Sequence, residues 1–313
     1  VLKILHVENL AGVPAILAKC QTSSGQVSKV LETHRNPYNF PHDMELYYGG
    51  AGIFHDIATM RKVSRVCRDF DLVHVHGGLN RKRFDVLAMR FVHRKPIVVH
   101  YHGSETRMGY GMAYRSIARA KIVSRPDLLR WHADASFIPN PIEMVPECLF
   151  DTGTIPKVVH VSNNPLLKGT EIIKEAMDEL IMEGLNFKFE LVENQPHEEV
   201  LKRIASAQIL IDQVLPTSED LPSIIGMVSL EAMVRGRAVV STFDREFRSY
   251  YPECPVRAIE YGKASLKEEV SRLVSDMNLT MKLGALGRKY VADHHSPKVI
   301  CDKVQSVYDK VLD

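Results

Sequence analysis

The apolar positions of this chain gather in short, near-continuous runs, and four of these pass straight into a small, polar or glycine-bearing loop, at 71–77, 97–103, 159–164 and 209–213. Runs rich in Val, Ile and Leu mark strands buried on both faces, as in parallel sheets. Between them the apolar spacing shifts to the helical period. In the first half the pattern predicts a strand over 3–7 and a turn at Asn9-Leu10-Ala11-Gly12-Val13-Pro14 into a helix through Cys20. A helix over 56–70, a strand over 71–76, a basic helix around 84–91 and a strand over 97–102 follow. Pro139, Pro141, Pro146 and Pro156 punctuate a stretch without helical period, which reads as a linker.

The pattern then restarts with a strand over 157–162 and a helix carrying Ile172, Ile173, Ala176, Met177, Leu180 and Ile181 on one stripe, ended by Gly184. Next come a strand over 187–192, a helix over 197–206, a strand over 208–213, a helix over 228–235 closed by Gly236, a strand over 238–242 and an amphipathic helix over 296–312. Alternation of this kind specifies an α/β fold: two Rossmann-like doubly wound domains, expected to face each other across an interdomain cleft. The expected domains are 1–145 and 146–295, with a C-terminal helix, 296–313, that can return to the N-terminal domain. Open parallel sheets bind ligands beyond the carboxyl ends of their strands, which directs attention to the loops after the four runs.

Composition narrows the class. With 313 residues, 45% hydrophobic and 25% charged, the chain reads as a soluble globular protein of two domains. No apolar run reaches the roughly 20 residues that span a bilayer. The segment Val1–Val7 lacks the cleavage site of a signal peptide and reads as a first core strand, so a cytoplasmic location is expected. Cys20, Cys67, Cys148, Cys254 and Cys301 are odd in number, scattered and never in a C-x-x-C pair, which argues for free thiols. The net charge of +2 hides an asymmetry. Residues 1–150 hold 20 basic against 13 acidic side chains (+7), and the remainder 20 against 25 (−5). The excess lies between Arg61 and Arg130, a field that attracts anionic partners such as lipid head groups or phosphorylated acceptors. No base-stacking platform or nucleic-acid module is recognised among the basic residues, so nucleic acid ranks last.

Several stretches together are similar to the retaining GT-B glycosyltransferases of family 4. They are His160-Val161-Ser162-Asn163-Asn164 through Lys168-Gly169-Thr170, the block from Gly226 to Gly236, and the junction Ile138-Pro139-Asn140-Pro141-Ile142-Glu143. Asn9 to Pro14, the H-x-H-G at His74 and V-V-H-Y-H-G at 98–103 fit in the same order. Single motifs are weak; their order over nearly the whole chain carries the resemblance. It implies a hexosyltransferase-type enzyme of polysaccharide biosynthesis that needs no metal or other cofactor. A nucleotide-diphosphate sugar would bind mainly to the C-terminal domain. A glycan or lipid-linked acceptor would be held by the N-terminal domain, with an anionic membrane surface as a further candidate partner and no nucleic acid. Location would then be cytoplasmic or peripheral on the inner face of a membrane.

By the same resemblance, His102 and Lys168 are the candidate catalytic residues. His102 would hydrogen-bond sugar or phosphate oxygens, and Lys168, at a helix start, would hold the diphosphate with backbone N–H groups. Gly12, Asn163, Asn164, Gly226, Met227, Val228 and Glu231 are the candidate donor-binding residues. Glu231 would accept from ribose hydroxyls, and Gly226 would let the backbone approach the donor. A carboxylate as sheltered as Glu231 needs a partner.

The chain also departs from the family. Ser223 stands where many members have a second glutamate, with Glu219 and Asp220 nearby. No arginine precedes Lys168, so Arg107 is a substitute source of charge. Glu193-Asn194-Gln195-Pro196-His197 replaces a glycine-rich turn. Two alternatives therefore stay open: a nucleotide-sugar epimerase on the same fold, and a catalytically silent nucleotide-sugar-binding subunit. The pairs His74/His76 and His100/His102 offer four imidazoles that could suit a transition metal, but no carboxylate or Cys accompanies them at ligand spacing, and residues two apart on a strand share a face in any case. Asp69-Phe70-Asp71 matches a metal-binding D-x-D signature but precedes its strand, so it reads as a turn. No P-loop and no G-x-S-x-G elbow is present.

Overall fold

The computed structural model describes residues 1–35, 40–48, 53–77, 84–103, 117–146, 155–218 and 222–313. They divide into two compact units, Val1–Glu143 with Pro297–Asp313, and Met144–Ser296.

The first unit is built on a seven-stranded parallel sheet. Its strands are β1 (Lys3–Val7), β2 (Val27–Glu32), β3 (Met44–Glu45), β4 (Leu72–His76), β5 (Ile97–Tyr101), β6 (Ala120–Val123) and β7 (Ser136–Phe137), in the order β3-β2-β1-β4-β5-β6-β7. Chain direction across the sheet reverses between β1 and β4, the switch point at which such sheets take ligands. Because side chains alternate along a strand, each strand feeds two cores. Leu5, Val7, Val73, Val75, Ile97, Val99 and Tyr101 enter one, against Val63 and Val86. Ile4, Leu72, Val98 and Ile122 enter the other, against α1 (Val13–Ser23) and the C-terminal helix Pro297–Leu312.

Two helices of this unit differ in extent from the sequence pattern. The helix expected at 56–70 starts earlier, as α2 (Ile53–Val66), and ends in a 3₁₀ turn at Cys67–Asp69. The one expected at 84–91 is α3 (Phe84–Leu87), which loosens into a π-helical turn over Ala88–Val92. β2 was not legible because it alternates exposed and buried positions instead of forming an apolar run.

The second unit has a five-stranded parallel sheet: β8 (Lys157–Ser162), β9 (Lys188–Glu193), β10 (Ile209–Ile211), β11 (Ala238–Thr242) and β12 (Arg257–Ile259), ordered β12-β11-β10-β8-β9. Counted within the unit this is 2-1-3-4-5, with its switch point between β8 and β10. Helices α4 (Thr170–Met182), α5 (His197–Ser206), α6 (Met227–Met233), α7 (Lys263–Ser275) and α8 (Met277–His294) flank it, and the C-terminal helix of the first unit is α9. Val158, Ile209, Ile211 and Val240 bury one face of the sheet under Ile173, Met177, Leu266 and Val270. On the other side α8 lies against the turn after α6, where a side chain at Gly284 would overlap the carbonyl of Gly236.

No helix among the described residues is long and apolar enough to cross a membrane. Cys20, Cys67, Cys254 and Cys301 are free thiols, and Cys148 lies outside the described residues.

Candidate functional site

Two loops meet at the switch point of the second sheet. The loop after β8 carries Lys168 into Gly169, whose left-handed φ of 68° caps α4. A side chain at Gly169 would overlap the carbonyl of Val214, because the backbone N–H of Val214 bonds to the Lys168 carbonyl at 3.0 Å. That tie brings Lys168 beside Asp212, the first residue after β10. Its ammonium pairs with the Asp212 carboxylate, which is fully buried and also accepts from Ser229 Oγ at 2.5 Å. Burial alone would push the Asp212 carboxyl up, but the Lys168 charge, with hydrogen bonds from Lys168 and Ser229, holds it below the usual carboxylate range. Gly226 completes the cluster: a Cβ there would stand 3.2 Å from Asp212 Oδ2 and 3.8 Å from Lys168 Nζ, so only glycine leaves that side of the ion pair open.

Glu231 does have a partner. Its Oε1 bonds to His197 Nε2 at 2.7 Å, joining α6 to the first residue of α5. That bond, with the charge of Glu231, raises the pKa of His197 against the opposing effect of burial. Asn163 and Asn164 are exposed in the loop after β8, together with Leu166. Gly226, Met227 and Val228 are half-buried at the start of α6. The structure thus brings Lys168 and Gly226 together, and places Glu231 with His197.

Two members of this constellation escaped sequence reasoning. Asp212 ends an apolar strand and was legible in principle as a polar residue at a strand end. His197 sits in the stretch noted only for lacking glycines. Ser223 is fully buried and does not offer a free hydroxyl: it accepts from Gln213 Nε2 at 2.8 Å and donates to the Thr242 carbonyl at 2.7 Å, while its backbone N–H bonds to Asp244 Oδ2 at 2.8 Å. Glu219, Asp220 and Arg107 lie outside the described residues.

Gly12 and His102 belong to the first unit. Gly12 has φ 70°, and the place of a Cβ is taken by the Phe40 ring, 2.9 Å away, so its missing side chain serves local packing. In the loop after β1, Glu8 and Ala11 also adopt left-handed backbone, a strain tolerated where a loop is held firmly. His102 follows β5 and stacks on His100 with ring centroids 4.3 Å apart. The register that sets His6 opposite His74, and His76 opposite His100, gathers both H-x-H pairs and His6 on one face of the sheet. His6, His74 and His76 form one group of potential ligands, and His76, His100 and His102 a second. His6, like His74, His76 and His100, is fully buried, and burial lowers its pKa to about 4.

No protein-family model matches the sequence, and no curated protein matches it. Solved structures do match in shape. HepE from Anabaena, solved with UDP and glucose, superposes with a TM-score of 0.71 at 13% identity, over 99% of this chain and 100% of that one. A glycosyltransferase from Rickettsia africae gives 0.72 at 12% identity, over 100% and 99%. An alpha-glucosyltransferase in complex with UDP-glucose and DNA gives 0.71 at 10% identity, again over 100% and 99%. Full-length agreement with two parallel sheets and their flanking helices shows the fold: this chain has the GT-B architecture of these glycosyltransferases.

Proposed function

We propose that the protein is a glycosyltransferase whose second unit binds the nucleotide-diphosphate part of a nucleotide sugar. The observation that carries this is the convergence of Lys168, Asp212 and Gly226 at the β8/β10 switch point. An ammonium has three donors, and Asp212 engages one, so Lys168 is oriented by its partner and keeps two for phosphate oxygens. The first-turn N–H groups of α4 beside it favour an anion. Glu231, held by His197, is assigned to the ribose hydroxyls. Since HepE was solved with UDP, and the alpha-glucosyltransferase with UDP-glucose, uridine donors are the first to test.

In this reading the diphosphate leaves as its charge is met by Lys168 and backbone N–H groups. The acceptor then attacks the face from which it left, with retention and with the leaving phosphate as proton acceptor. His102 takes part in transfer, and the acceptor is a glycan or lipid-linked glycan. Neither a metal nor another cofactor is called for, so turnover is expected to persist in EDTA.

Calorimetry tests the site. Lys168→Met combined with Asp212→Asn should weaken UDP at least tenfold while barely changing uridine, because it removes a charge-assisted phosphate contact. Glu231→Gln should weaken both. Wild-type affinities in both variants would refute the assignment. Mass spectrometry of nucleotide sugars incubated with the protein separates the alternatives: a donor isomer without acceptor identifies an epimerase, and binding without turnover a silent subunit. Loss of activity in EDTA restored by manganese would overturn metal independence.

A further inference from the structure

His6, His74, His76, His100 and His102 share the face of β1, β4 and β5 that packs against α1 and α9. Burial holds the first four well below the ordinary histidine range, so each is neutral at pH 7, with one N–H and one bare nitrogen. Between neutral rings a hydrogen bond fixes both tautomers, and a chain of such bonds passes the choice along.

The chain starts at Gln21, buried in α1. Its Oε1 accepts from Ser28 Oγ at 2.7 Å and from His6 Nε2 at 2.8 Å. Its amide nitrogen donates to the Tyr308 hydroxyl at 3.4 Å, which is hydrogen-bonded to His74 Nδ1 at 2.6 Å. An amide oxygen only accepts, so His6 carries its proton on Nε2 and presents a bare Nδ1. His76 Nε2 lies 2.9 Å from that atom and must donate to it, which leaves His76 Nδ1 bare. His102 Nε2, 3.2 Å away, must donate in its turn.

We infer that Gln21, His6 and His76 form a buried relay that holds His102 with a proton on Nε2 and that edge of the ring turned toward His76. This rests on the reading of His102 as a residue of the transfer step, and makes Gln21, His6 and His76 positioning residues for it.

A metal would use the same rings differently. The potential ligand atoms in each group lie within 4.8 Å of one another, but neither group contains a carboxylate to offset a buried dication. The 2.9 and 3.2 Å spacings are those of direct ring-to-ring hydrogen bonds.

Ring-¹⁵N NMR of the ligand-free full chain tests the relay. The expected result is an N–H on Nε2 of His6, His76 and His102. Gln21→Leu, which removes the anchor, should let His102 populate both tautomers and lower kcat about tenfold with little change in KM. Tyr308→Phe cuts only the branch to His74 and should leave His102 as it is. An Nδ1–H tautomer at His102 in the wild type would overturn the relay. So would an unchanged His102 in a folded Gln21→Leu variant, or stoichiometric Zn²⁺ binding that shifts both nitrogens of His76. Failure of the site reading appears separately, as wild-type transfer by His102→Ala with the tautomers as expected.

Discussion

Lys168 and Asp212 hold each other in place across the two strands that flank the switch point, and neither is neutral to remove. Lys168→Met strips the cation bonded to Asp212, whose carboxylate is fully buried, a loss that typically costs about 3–5 kcal/mol. Urea unfolding at pH 7 should show that loss, with Asp212→Asn added to Lys168→Met recovering most of it. A single variant as stable as the wild type would mean that the pair is not formed. Histidines give a second residue-scale expectation. His6 and His160, one in each unit, have pKa values lowered by burial to about 4. The unfolded chain therefore takes up protons below pH 6.5 that the native state refuses, and stability falls as pH drops from about 6.5 toward 4. At about 1.4 kcal/mol per unit, each contributes on the order of 3 kcal/mol over that window. His74, His76 and His100 act in the same direction. Urea midpoints measured between pH 7.5 and 4.5 should decline steeply; a flat profile would show that these rings are not neutral in the native state.

Among elements, the loop from β8 into α4 sets the candidate site, and Gly169 is its fulcrum. An alanine there meets both a left-handed backbone and the carbonyl of Val214, so Gly169→Ala should cost roughly 2–4 kcal/mol and lower Tm by several degrees. Gly25, also left-handed at φ 87°, has nothing near its missing Cβ. Gly25→Ala should cost only about 1 kcal/mol. Equal melting temperatures for the two variants would mean that the loop yields. Legibility followed the same division. Strands such as β4, β5 and β8 were readable because burial on both faces gives them runs of Val, Ile and Leu interrupted by little besides histidine. β2, with its exposed positions, and the two-residue β3 and β7 were not, since their pairing depends on neighbours far away in sequence.

At the scale of the molecule, the basic first half remains a candidate for docking on anionic membrane. Of the basic side chains expected to make that contact, Arg81, Lys82, Arg83 and Arg115 lie outside the described residues; Arg90, Arg94 and Arg119 are within them, and Lys121, largely buried, is ion-paired with Asp134 at 2.6 Å. The structure adds exposed apolar side chains to that half, Phe54 on α2 and Phe84, Phe91 and Val92 on α3 and its π turn. Vesicles containing anionic lipid should bind the protein reversibly, each basic residue near the surface contributing on the order of 1 kcal/mol, screened over about 8 Å at physiological salt. Phe91→Ser should weaken that binding. Equal binding to neutral and anionic vesicles, or none to either at low salt, would leave the basic face as a solvated surface or as a site for a soluble phosphorylated acceptor.

By itself the sequence determined the alternation of strand and helix, the restart after the proline-rich stretch and the strand ends where polar residues gather. Periodicity and the runs of Val, Ile and Leu are local properties, and they suffice for an α/β fold of two parallel sheets. Strand order was beyond it, because the switch points at β1/β4 and β8/β10 arise from crossovers between distant segments. So were the partners. Lys168 meets Asp212 44 positions away, Glu231 meets His197 34 away, and His6 meets His76 70 away. Only tertiary structure decides which charges neutralise each other and which nitrogen of a ring carries its proton, since both depend on atoms that the chain brings together after it has folded.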